Sequence, residues 1–330
     1  MHEDTRMPAP GAAEAEKAQE ALIAAQLYYV QGHTMDAISG ELHTSRSTVS
    51  RLLSFARESG IVDIRIRSPH ASPRRIEAEI ARRYGITAHV APVPQVVSEA
   101  ERLERVAATA ARLLGDFIDS NMNVGIAWGS TVDAMSRHLV QRATQNVVVV
   151  QLNGSGNTQT TGLVYASEIL QRFGAAFDAR VEQFPVPAFF DSADTRRAFW
   201  QERSTRRILD IQAAMHLVVF SVGAAGAGVP SHVYSGGYLD AEDLAALRRD
   251  EVAGDVATVF YRRNGSSDGI VMNERSTGPT FEVLRRVPRR MCVVAGDAKL
   301  SAMRGAIAAG LVTDLVLDEP TAHALVRTEH

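Results

Sequence analysis

Between residues 34 and 53, apolar side chains recur at helical spacing and predict two short helices joined by a tight turn. Ile38 and Leu42 lie four residues apart, on one face of the first helix. Val49 and Leu53 form the matching face of the second helix. Because these two faces can bury against each other, the pattern predicts a helix-turn-helix.

The residues between the two predicted helices favour a sharp turn. His43 stands where such a turn usually has glycine, and histidine tolerates a left-handed backbone better than most other residues. Thr44 and Ser45 can each accept a backbone N–H bond at the start of the second helix. We therefore expect the second helix to begin directly after Ser45.

The start of the second predicted helix is rich in hydroxyls and arginines. Such side chains can reach base edges and phosphates when this end of the helix enters the major groove of DNA. A helical hairpin with an ordinary solvated face is the alternative interpretation. The candidate DNA-binding residues are Thr34, Thr44, Ser45, Arg46, Ser47, Thr48, Ser50 and Arg51.

From about His89 onward, apolar runs alternate with amphipathic helical segments. This alternation predicts a parallel sheet covered by helices. Residues 147–150 are four consecutive valines, as expected of a central strand that is buried on both faces. The predicted strands are residues 123–128, 147–152, 217–223, 256–261, 291–296 and 314–318.

Proline and polar residues divide the chain into segments. Residues 1–21 have no aromatic side chain and little apolar period, so we expect a frayed lead-in. Two prolines at positions 69 and 73 predict a hinge over residues 68–73. The expected division is a lead-in at 1–21, a helix-turn-helix domain at 22–68, a hinge and linker helix at 69–86, and an α/β domain at 87–330.

Four loops that follow predicted strands are rich in glycine and small polar residues. Ligands bind parallel sheets at the carboxyl ends of the strands, where glycines let backbone N–H groups approach an anion. Each loop alone could be only a tight turn, and the pattern around Gly154 lacks the third glycine of a dinucleotide site. The candidate effector-binding residues are Gly129, Ser130, Thr131, Asn153, Gly154, Gly223, Ala224, Asp297 and Lys299.

Composition narrows the class of protein. The chain has 330 residues, 45% of them apolar, and no apolar run approaches the roughly 20 residues of a membrane span. Cys292 is the only cysteine, lies in an apolar run and is expected in the core. The histidines show no metal-ligand spacing, so neither a metal nor a cofactor is expected. We expect a cytoplasmic protein.

Charge is unevenly placed along the chain. The net charge is −3, yet residues 46–83 hold nine arginines against four acidic residues. The chain has only two lysines, Lys17 and Lys299. A lysine carries a compact charge on a thin stem, which suits reaching one phosphate or hydroxyl deep in a pocket. Lys299 is therefore the strongest single candidate for contact with a small molecule.

The chain resembles the SorC/DeoR family of bacterial transcriptional regulators. The resemblance is carried by SRSTVSRLLSFARESGIVDIRI around the helix-turn-helix and by VGIAWGSTV, VVQLNG, FPVPAFFD and VVAGDAKLSAMRGAIAAGLVTDLVLDEPTA downstream. It covers about residues 22–330. It implies a short strand over residues 62–66 and a Rossmann-like parallel-sheet effector domain that resembles sugar-phosphate isomerases. The expected fold class is therefore α/β, with an N-terminal helix-turn-helix domain.

The resemblance also implies function. Such a regulator binds operator DNA as a dimer or tetramer, and a sugar or sugar phosphate bound to its second domain resets DNA affinity. Where the family often has Gly-Gly before its lysine, this chain has Gly296-Asp297, and the added carboxylate would repel a phosphate. We therefore predict a non-enzymatic regulator of a carbohydrate or polyol catabolic operon.

Two other functions fit the same fold. One is a sugar-phosphate isomerase or deaminase fused to a DNA-binding module, with acid–base residues among Asp255, Asp268, Asp318 and Glu319. The other is a helix-turn-helix protein whose second domain serves only for assembly. A ligand-dependent change in melting temperature would argue against the latter.

Overall fold

The computed structural model describes residues 10–62, 73–94, 96–224 and 231–327. The chain divides into two compact units, Met1–Ser68 and Pro69–His330. The division falls at the start of the predicted proline hinge. Residues 63–72, which include most of the predicted short strand and hinge, lie outside the described residues.

The first unit is helical. Its core is formed by small and branched apolar side chains, among them Ala21, Ile38, Val49 and Leu53, all of which are buried. The apolar faces predicted for the two short helices are thus the faces that pack together. The helices are α1 Pro10–Ala25, a π-helical turn Gln26–Val30, α2 Met35–Glu41 and α3 Arg46–Glu58.

Helix α1 corrects the prediction of a frayed lead-in over residues 1–21. From Pro10 onward the segment is helical, and Ala21 and Ala24 are fully buried. The ammonium of Lys17 lies 4.4 Å from the centre of the Phe55 ring on α3. Alanine has the highest helix propensity and packs closely without adding to apolar periodicity, which explains why the pattern missed this helix.

The second unit alternates strands and helices. Its strands are β1 Thr87–Ala91, β2 Asn123–Ile126, β3 Val148–Gln151, β4 Arg180–Glu182, β5 Leu217–Phe220, β6 Val252–Val256, β7 Val259–Arg262, β8 Arg289–Val294 and β9 Asp314–Asp318. Its helices are α4 Pro73–Tyr84, α5 Glu99–Phe117, α6 Ser130–Ser136, α7 Leu163–Phe177, α8 Ala193–Phe199, α9 Arg203–Ala213, α10 His232–Ser235, α11 Ala241–Arg249, α12 Met272–Arg275, α13 Phe281–Arg286, α14 Leu300–Ala308 and α15 Glu319–Val326.

Seven of these strands form one parallel sheet in the order β1-β9-β8-β5-β2-β3-β4. Alternate residues of each central strand enter two separate apolar cores. On β3, Val149 packs in the core with α5, α6 and α7, while Val150 packs in the core with α4, α13, α14 and α15. The predicted α/β class and parallel sheet are confirmed.

The sheet also fixes where a ligand can enter. From β2 the chain proceeds to β3 and β4 on one side, whereas β5, β8 and β9 lie on the other side. Strand order therefore reverses between β2 and β5. A crevice opens at the carboxyl ends of the two strands that flank such a switch point.

The predicted strand over residues 256–261 is wrong. This segment is split by a turn between β6 and β7, which pair with each other in an antiparallel hairpin outside the main sheet. Ala257 and Thr258 form the turn with φ values of +47° and +69°. Apolar runs look alike in both kinds of strand, so the pattern did not reveal the turn. β1 and the three-residue β4 were not predicted individually.

Two smaller predictions concern the core. The helix predicted after the hinge is α4, whose Ile76 and Ile80 are buried in the second unit. Cys292 is fully buried on β8, and burial raises the pKa of its thiol to about 12. Both predictions are confirmed. Within the described ranges, no helix has the length and apolar character needed to cross a membrane.

Candidate functional site

The helix-turn-helix is held by a side-chain cap at the start of each helix. The hydroxyl of Thr34 accepts a bond of 3.2 Å from the N–H of Ala37, and the hydroxyl of Ser45 accepts one of 3.1 Å from the N–H of Thr48. His43 adopts a left-handed backbone with φ of +49°. The sharp turn and the helix start predicted from the sequence are thus present, and they present the N-terminal end of α3 outward.

The candidate DNA-binding side chains cluster on that end of α3. Ser45, Arg46, Ser47, Ser50 and Arg51 are exposed, whereas Thr48 and Thr44 are half-buried. Thr34 lies apart from them, as the exposed cap of α2. The cluster offers hydroxyls and guanidinium groups together, which is the chemistry needed to contact bases and phosphates.

Few intramolecular contacts restrain the two arginines. Nε of Arg46 lies 3.8 Å from a carboxylate oxygen of Asp36, with both side chains mostly exposed. Nε of Arg51 donates to the carbonyl of Ser47 at 3.3 Å. Exposed pairs of this kind contribute little free energy, so either arginine is free to turn toward a ligand. Their contact with DNA stays a prediction.

The second candidate site is a cleft at the switch point of the sheet, with about 450 Å³ of empty space when the open solvent at its mouth is included. The loops after β2, β3, β5 and β8 contribute to it, and the β6–β7 hairpin closes one side. We call this the switch-point cleft. The residues that line it are Ala127, Trp128, Gly129, Ser130, Thr131, Asn153, Ser221, Val222, Gly223, Ser231, His232, Val233, Asp255, Ala257, Thr258 and Lys299.

Six of the nine candidate effector-binding residues line the switch-point cleft, and three do not. Gly154 is buried behind it, with its N–H donating to the Thr277 hydroxyl and its carbonyl accepting from the Trp128 indole. The N–H of Ala224 donates to the Ser231 hydroxyl at 2.9 Å, and Asp297 is exposed. Residues 225 and 226 of the predicted loop lie outside the described residues.

A lysine and an aspartate face the cleft with opposite charges. Burial lowers the pKa of Lys299, and the charge of Asp255 partly opposes that shift. Burial raises the pKa of Asp255 to about 6, against the lowering effects of a hydrogen bond from the Thr258 N–H and of the Lys299 charge. With a pKa near 6, the Asp255 carboxylate is mainly charged at neutral pH.

Two buried polar atoms of the cleft have unused hydrogen-bonding capacity. Oδ1 of Asn153 and Oγ of Ser221 are buried and have no hydrogen-bond partner in the described part of the chain. A buried polar atom without a partner costs free energy. Asn153 and Ser221 line the same cleft as Lys299, so a polar ligand there could provide the missing hydrogen bonds.

The backbone brings Asp255 into the cleft. Gly223 and Asp255 exchange backbone hydrogen bonds of 2.8 and 3.2 Å, which join the loop after β5 to the hairpin. A Cβ atom at position 223 would overlap the Asp255 carboxylate. Glycine is therefore required here for close approach rather than for its backbone angles.

Of the four carboxylates weighed as acid–base residues, only Asp255 lines the cleft. Asp318 is fully buried and caps α15 by accepting from the Thr321 N–H at 3.1 Å. Asp268 is exposed, and Glu319 lies 3.9 Å from His323. Among the described residues, no cluster of three or more His, Cys, Asp or Glu side chains could hold a metal ion.

The sequence interpretation missed several cleft residues, among them Trp128, Ser221, His232 and Thr258. Trp128 could have been identified from the sequence, because it immediately precedes the predicted Gly129-Ser130-Thr131 loop. The indole donates to the carbonyls of Asn153 and Gly154, and the ring stacks on Tyr238 at 5.1 Å. Thr258 gave no local signal, since its position depends on the hairpin turn.

Comparison with known proteins decides the family. A family profile described as a sugar-binding domain matches residues 68–327. The chain belongs to this sugar-binding domain family. The chain is also 30% identical over 314 residues to the deoxyribonucleoside regulator of Bacillus subtilis, covering 94% of this chain and 98% of that protein.

Other similar proteins support the same family assignment. The sorbitol operon regulator of Klebsiella pneumoniae is 25% identical over 92% of this chain and 96% of that protein. A crystallised domain of a "possible sugar-binding transcriptional regulator" from Arthrobacter aurescens is 55% identical and covers 79% of this chain and all of that domain, with a TM-score of 0.74. The full-length SorC structure from Klebsiella pneumoniae has a TM-score of 0.71 over 94% of this chain and all of that chain, at 24% identity, which shows the fold.

The predicted SorC/DeoR membership is confirmed, and this member of the sugar-binding domain family is a transcriptional regulator. The interpretation as a regulator fits these relatives better than the interpretation as an enzyme. The roles of individual residues in the helix-turn-helix and in the cleft stay predictions.

Proposed function

We propose that this regulator binds operator DNA through the N-terminal end of α3 and binds a sugar or sugar-phosphate effector in the switch-point cleft. It then controls a carbohydrate or polyol catabolic operon in the cytoplasm. The observation that carries the effector proposal is that Asn153 and Ser221, each with a buried polar atom that has no partner among the described residues, line the same cleft as Lys299 and Asp255.

The DNA proposal rests on the shape and chemistry of α3. Its first turn presents Ser45, Arg46 and Ser47 to solvent, while Val49 and Leu53 anchor the other face in the core of the first unit. A recognition helix needs this division between a reading face and a buried face. The relatives named as operon or nucleoside regulators support the same function.

Regulation requires that the effector bind two states of the protein with different affinity. We propose that the regulator is a homo-oligomer, a dimer or a tetramer, in which effector binding changes how two recognition helices are spaced. Half-sites on DNA lie about 34–36 Å apart or at multiples of that distance, so a small change in spacing alters operator affinity. Light scattering during size-exclusion chromatography would determine the oligomeric state.

We propose no catalytic step. Asp255 is the only one of the four candidate carboxylates in the cleft, and its Oδ2 is engaged by the Thr258 N–H at 3.1 Å. Turnover assays with sugar phosphates test this point directly. Product formation that disappears in Asp255→Asn would favour the isomerase or deaminase alternative.

The central experiment measures operator affinity with and without effector. A DNA duplex selected from a random library by the purified chain serves as the operator, and fluorescence anisotropy follows binding at fixed salt. Sugars, polyols and their phosphates are then added singly. We expect at least one of them to change operator affinity about 5-fold to 150-fold, the usual range of allosteric coupling. Unchanged affinity across the whole panel would contradict the proposal.

A further inference from the structure

Helix α15 contacts two parts of the second unit that are far apart in sequence. It comprises residues Glu319–Val326 and is about 12 Å long, at 1.5 Å per residue. Its N-terminal end adjoins the loop that brings Lys299 to the switch-point cleft, and its C-terminal end adjoins α4. Because a short helix is stiff, a displacement at one end is transmitted to the other.

The N-terminal end of α15 is held by Asp318, whose side chain is fully buried. One carboxylate oxygen caps the helix by accepting from the Thr321 N–H at 3.1 Å, and the other accepts from the Gly296 N–H at 2.8 Å. A hydrogen bond to a buried carboxylate costs more to break than one between neutral groups. The start of α15 therefore follows the position of Gly296.

Gly296 is in turn closely connected to the cleft. The 3-10 turn Asp297–Lys299 follows it directly and leads into α14. Gly296 has a φ of +83°, which favours glycine, and a Cβ atom there would lie 2.8 Å from a carboxylate oxygen of Glu99. Because this segment is short and closely packed, a ligand that shifts Lys299 also shifts Gly296.

The C-terminal end of α15 is held by side chains of two neighbouring helices. The last carbonyl groups of a helix have no partner within that helix. On α4, the Tyr84 hydroxyl donates to the carbonyl of Leu325 at 3.0 Å, and the Arg83 guanidinium donates to the carbonyl of Val326. On α14, Arg304 donates to the same Leu325 carbonyl at 3.3 Å. The last turn of α4 is thus tied directly to the end of α15.

Helix α4 is packed as one body on the sheet. Ile76 and Ile80 are buried in the core, and the Glu77 carboxylate accepts from the N–H of Val90 on β1 at 2.9 Å. Along the chain, α4 is the first described element after the helix-turn-helix domain. A shift of α4 therefore moves the point at which the chain leaves the second unit toward its DNA-binding residues.

We propose that α15 couples the switch-point cleft to the helix-turn-helix domain by linking the position of the Lys299 loop to the position of α4. Arg83 and Tyr84 are positioning residues in this coupling, because neither lines the cleft and neither is a candidate DNA-binding residue. The inference rests on the proposed effector function and assigns the route by which the effector acts. The effector favours the arrangement of loop, α15 and α4 to which it binds more tightly.

Combining Arg83→Ala with Tyr84→Phe removes both α4 donors and keeps the aromatic ring, which packs against the core. The probe is the sugar, polyol or sugar phosphate of the panel that changes wild-type operator affinity most. Anisotropy titrations of the full chain give the coupling factor, which is the ratio of operator affinities with and without this compound at saturation. We expect the factor to fall toward 1 by about 5-fold, since one hydrogen bond typically contributes about that much. Operator affinity without the compound, and affinity for the compound without operator, should stay close to the wild-type values.

Arg82→Ala is the matched control on the same turn of α4. The Arg82 side chain is exposed and pairs with Glu79 of its own helix at 3.1 Å, so its loss should leave the coupling factor unchanged. An unchanged factor in the double variant would overturn the inference. Loss of operator affinity or of effector affinity alone would also overturn it, because the contact would then support one site rather than connect the two.

The single substitution Tyr84→Phe covers the case in which the double variant does not fold. Arg304 still donates to the Leu325 carbonyl, so that group keeps a partner, and thermal unfolding checks the fold. A reduced coupling factor in this variant supports the inference, and a wild-type factor overturns it.

Failure of the proposed effector function has a different signature in the same titrations. If no compound of the panel changed the operator affinity of the wild type, that function would be contradicted, and this inference with it. If the wild type responded and the α4 variants responded equally, only the coupling through α15 would be overturned.

Discussion

Nη1 of Arg102 lies 2.8 Å from Oδ1 of Asp318, in a contact that joins the first turn of α5 to the end of β9. The same carboxylate accepts bonds of 2.8 Å from the N–H of Gly296 and from the hydroxyl of Thr321. Gly296 begins the loop that carries Lys299 into the cleft. Asp318, absent from the cleft itself, thus holds the loop of a cleft residue in place.

Replacing Asp318 with alanine should destabilise the second unit by about 3–5 kcal/mol. The substitution leaves the guanidinium of Arg102, which is 15% exposed, without its buried partner. Urea unfolding followed by tryptophan fluorescence measures this, because Trp128 and Trp200 both lie in the second unit. The exposed Asp268→Ala is the control. A loss below about 1 kcal/mol would show that the contact is dispensable.

On the DNA side, Arg46→Ala and Arg51→Ala should each weaken operator binding by roughly 1–3 kcal/mol, the range for side chains that contact base edges or closely held phosphates. Folding should be unaffected, because both side chains are exposed. Anisotropy titrations at one salt concentration provide the measurement.

Arg57 provides the matched control, on the same helix. It lies near the C-terminal end of α3, where its guanidinium donates to the hydroxyls of Tyr29 and Ser54. Arg57→Ala should leave operator affinity nearly unchanged. If the variants at positions 46 and 51 also bound like the wild type, the assignment of α3 as the recognition helix would have to be abandoned.

Much of the fold follows from local patterns. The cap at Ser45, the left-handed turn at His43 and the valine run on β3 all depend on a few neighbouring residues of the chain. Short segments of sequence therefore determine their geometry, and the sequence predicts it. The position of the cleft also follows, because strand ends in a parallel sheet place their loops together.

The content of the cleft depends on contacts between distant segments. Asp255 enters it because a two-residue turn at Ala257 and Thr258 folds a hairpin against Gly223. No local pattern distinguishes that apolar hairpin from a strand of the main sheet. Gly154 was predicted to contact a ligand because its loop is rich in glycine. Its backbone N–H and carbonyl instead form hydrogen bonds within the protein.

Lys299→Ala should weaken effector binding about 10-fold to 150-fold, as expected for the loss of a charge-assisted hydrogen bond of about 1.5–3 kcal/mol. Operator affinity measured without effector should not change, since Lys299 belongs to the second unit. Calorimetry with the effector identified by the titrations above measures the first quantity, and anisotropy measures the second.

Lys299→Arg sharpens this test. Arginine keeps the positive charge but is larger and forked, so it should not place that charge where the ammonium lies. The arginine variant should therefore bind effector almost as weakly as the alanine variant. Full effector affinity in Lys299→Ala would remove the residue from the site. A variant that lost operator binding alone would indicate a role in assembly.

The last prediction concerns pH and the free energy of unfolding. Burial raises the pKa of Asp255 from 3.8 to about 6, while the Thr258 N–H, the Lys299 charge and neighbouring Tyr234 limit the shift. A raised folded-state pKa means that the protonated form is favoured on folding. The resulting stabilisation is complete below about pH 4 and is lost as pH rises through about 6.

The size of this change is about 3 kcal/mol, because each unit of pKa shift corresponds to about 1.4 kcal/mol. Asp255→Asn cannot titrate, so the wild type should lose about this much stability relative to the variant between pH 4 and pH 7. Urea unfolding of both proteins at several pH values, followed through the two tryptophans, gives the difference and cancels the titration of all other groups. Parallel curves for the two proteins across this range would mean that Asp255 is better solvated, or better paired, than its burial implies.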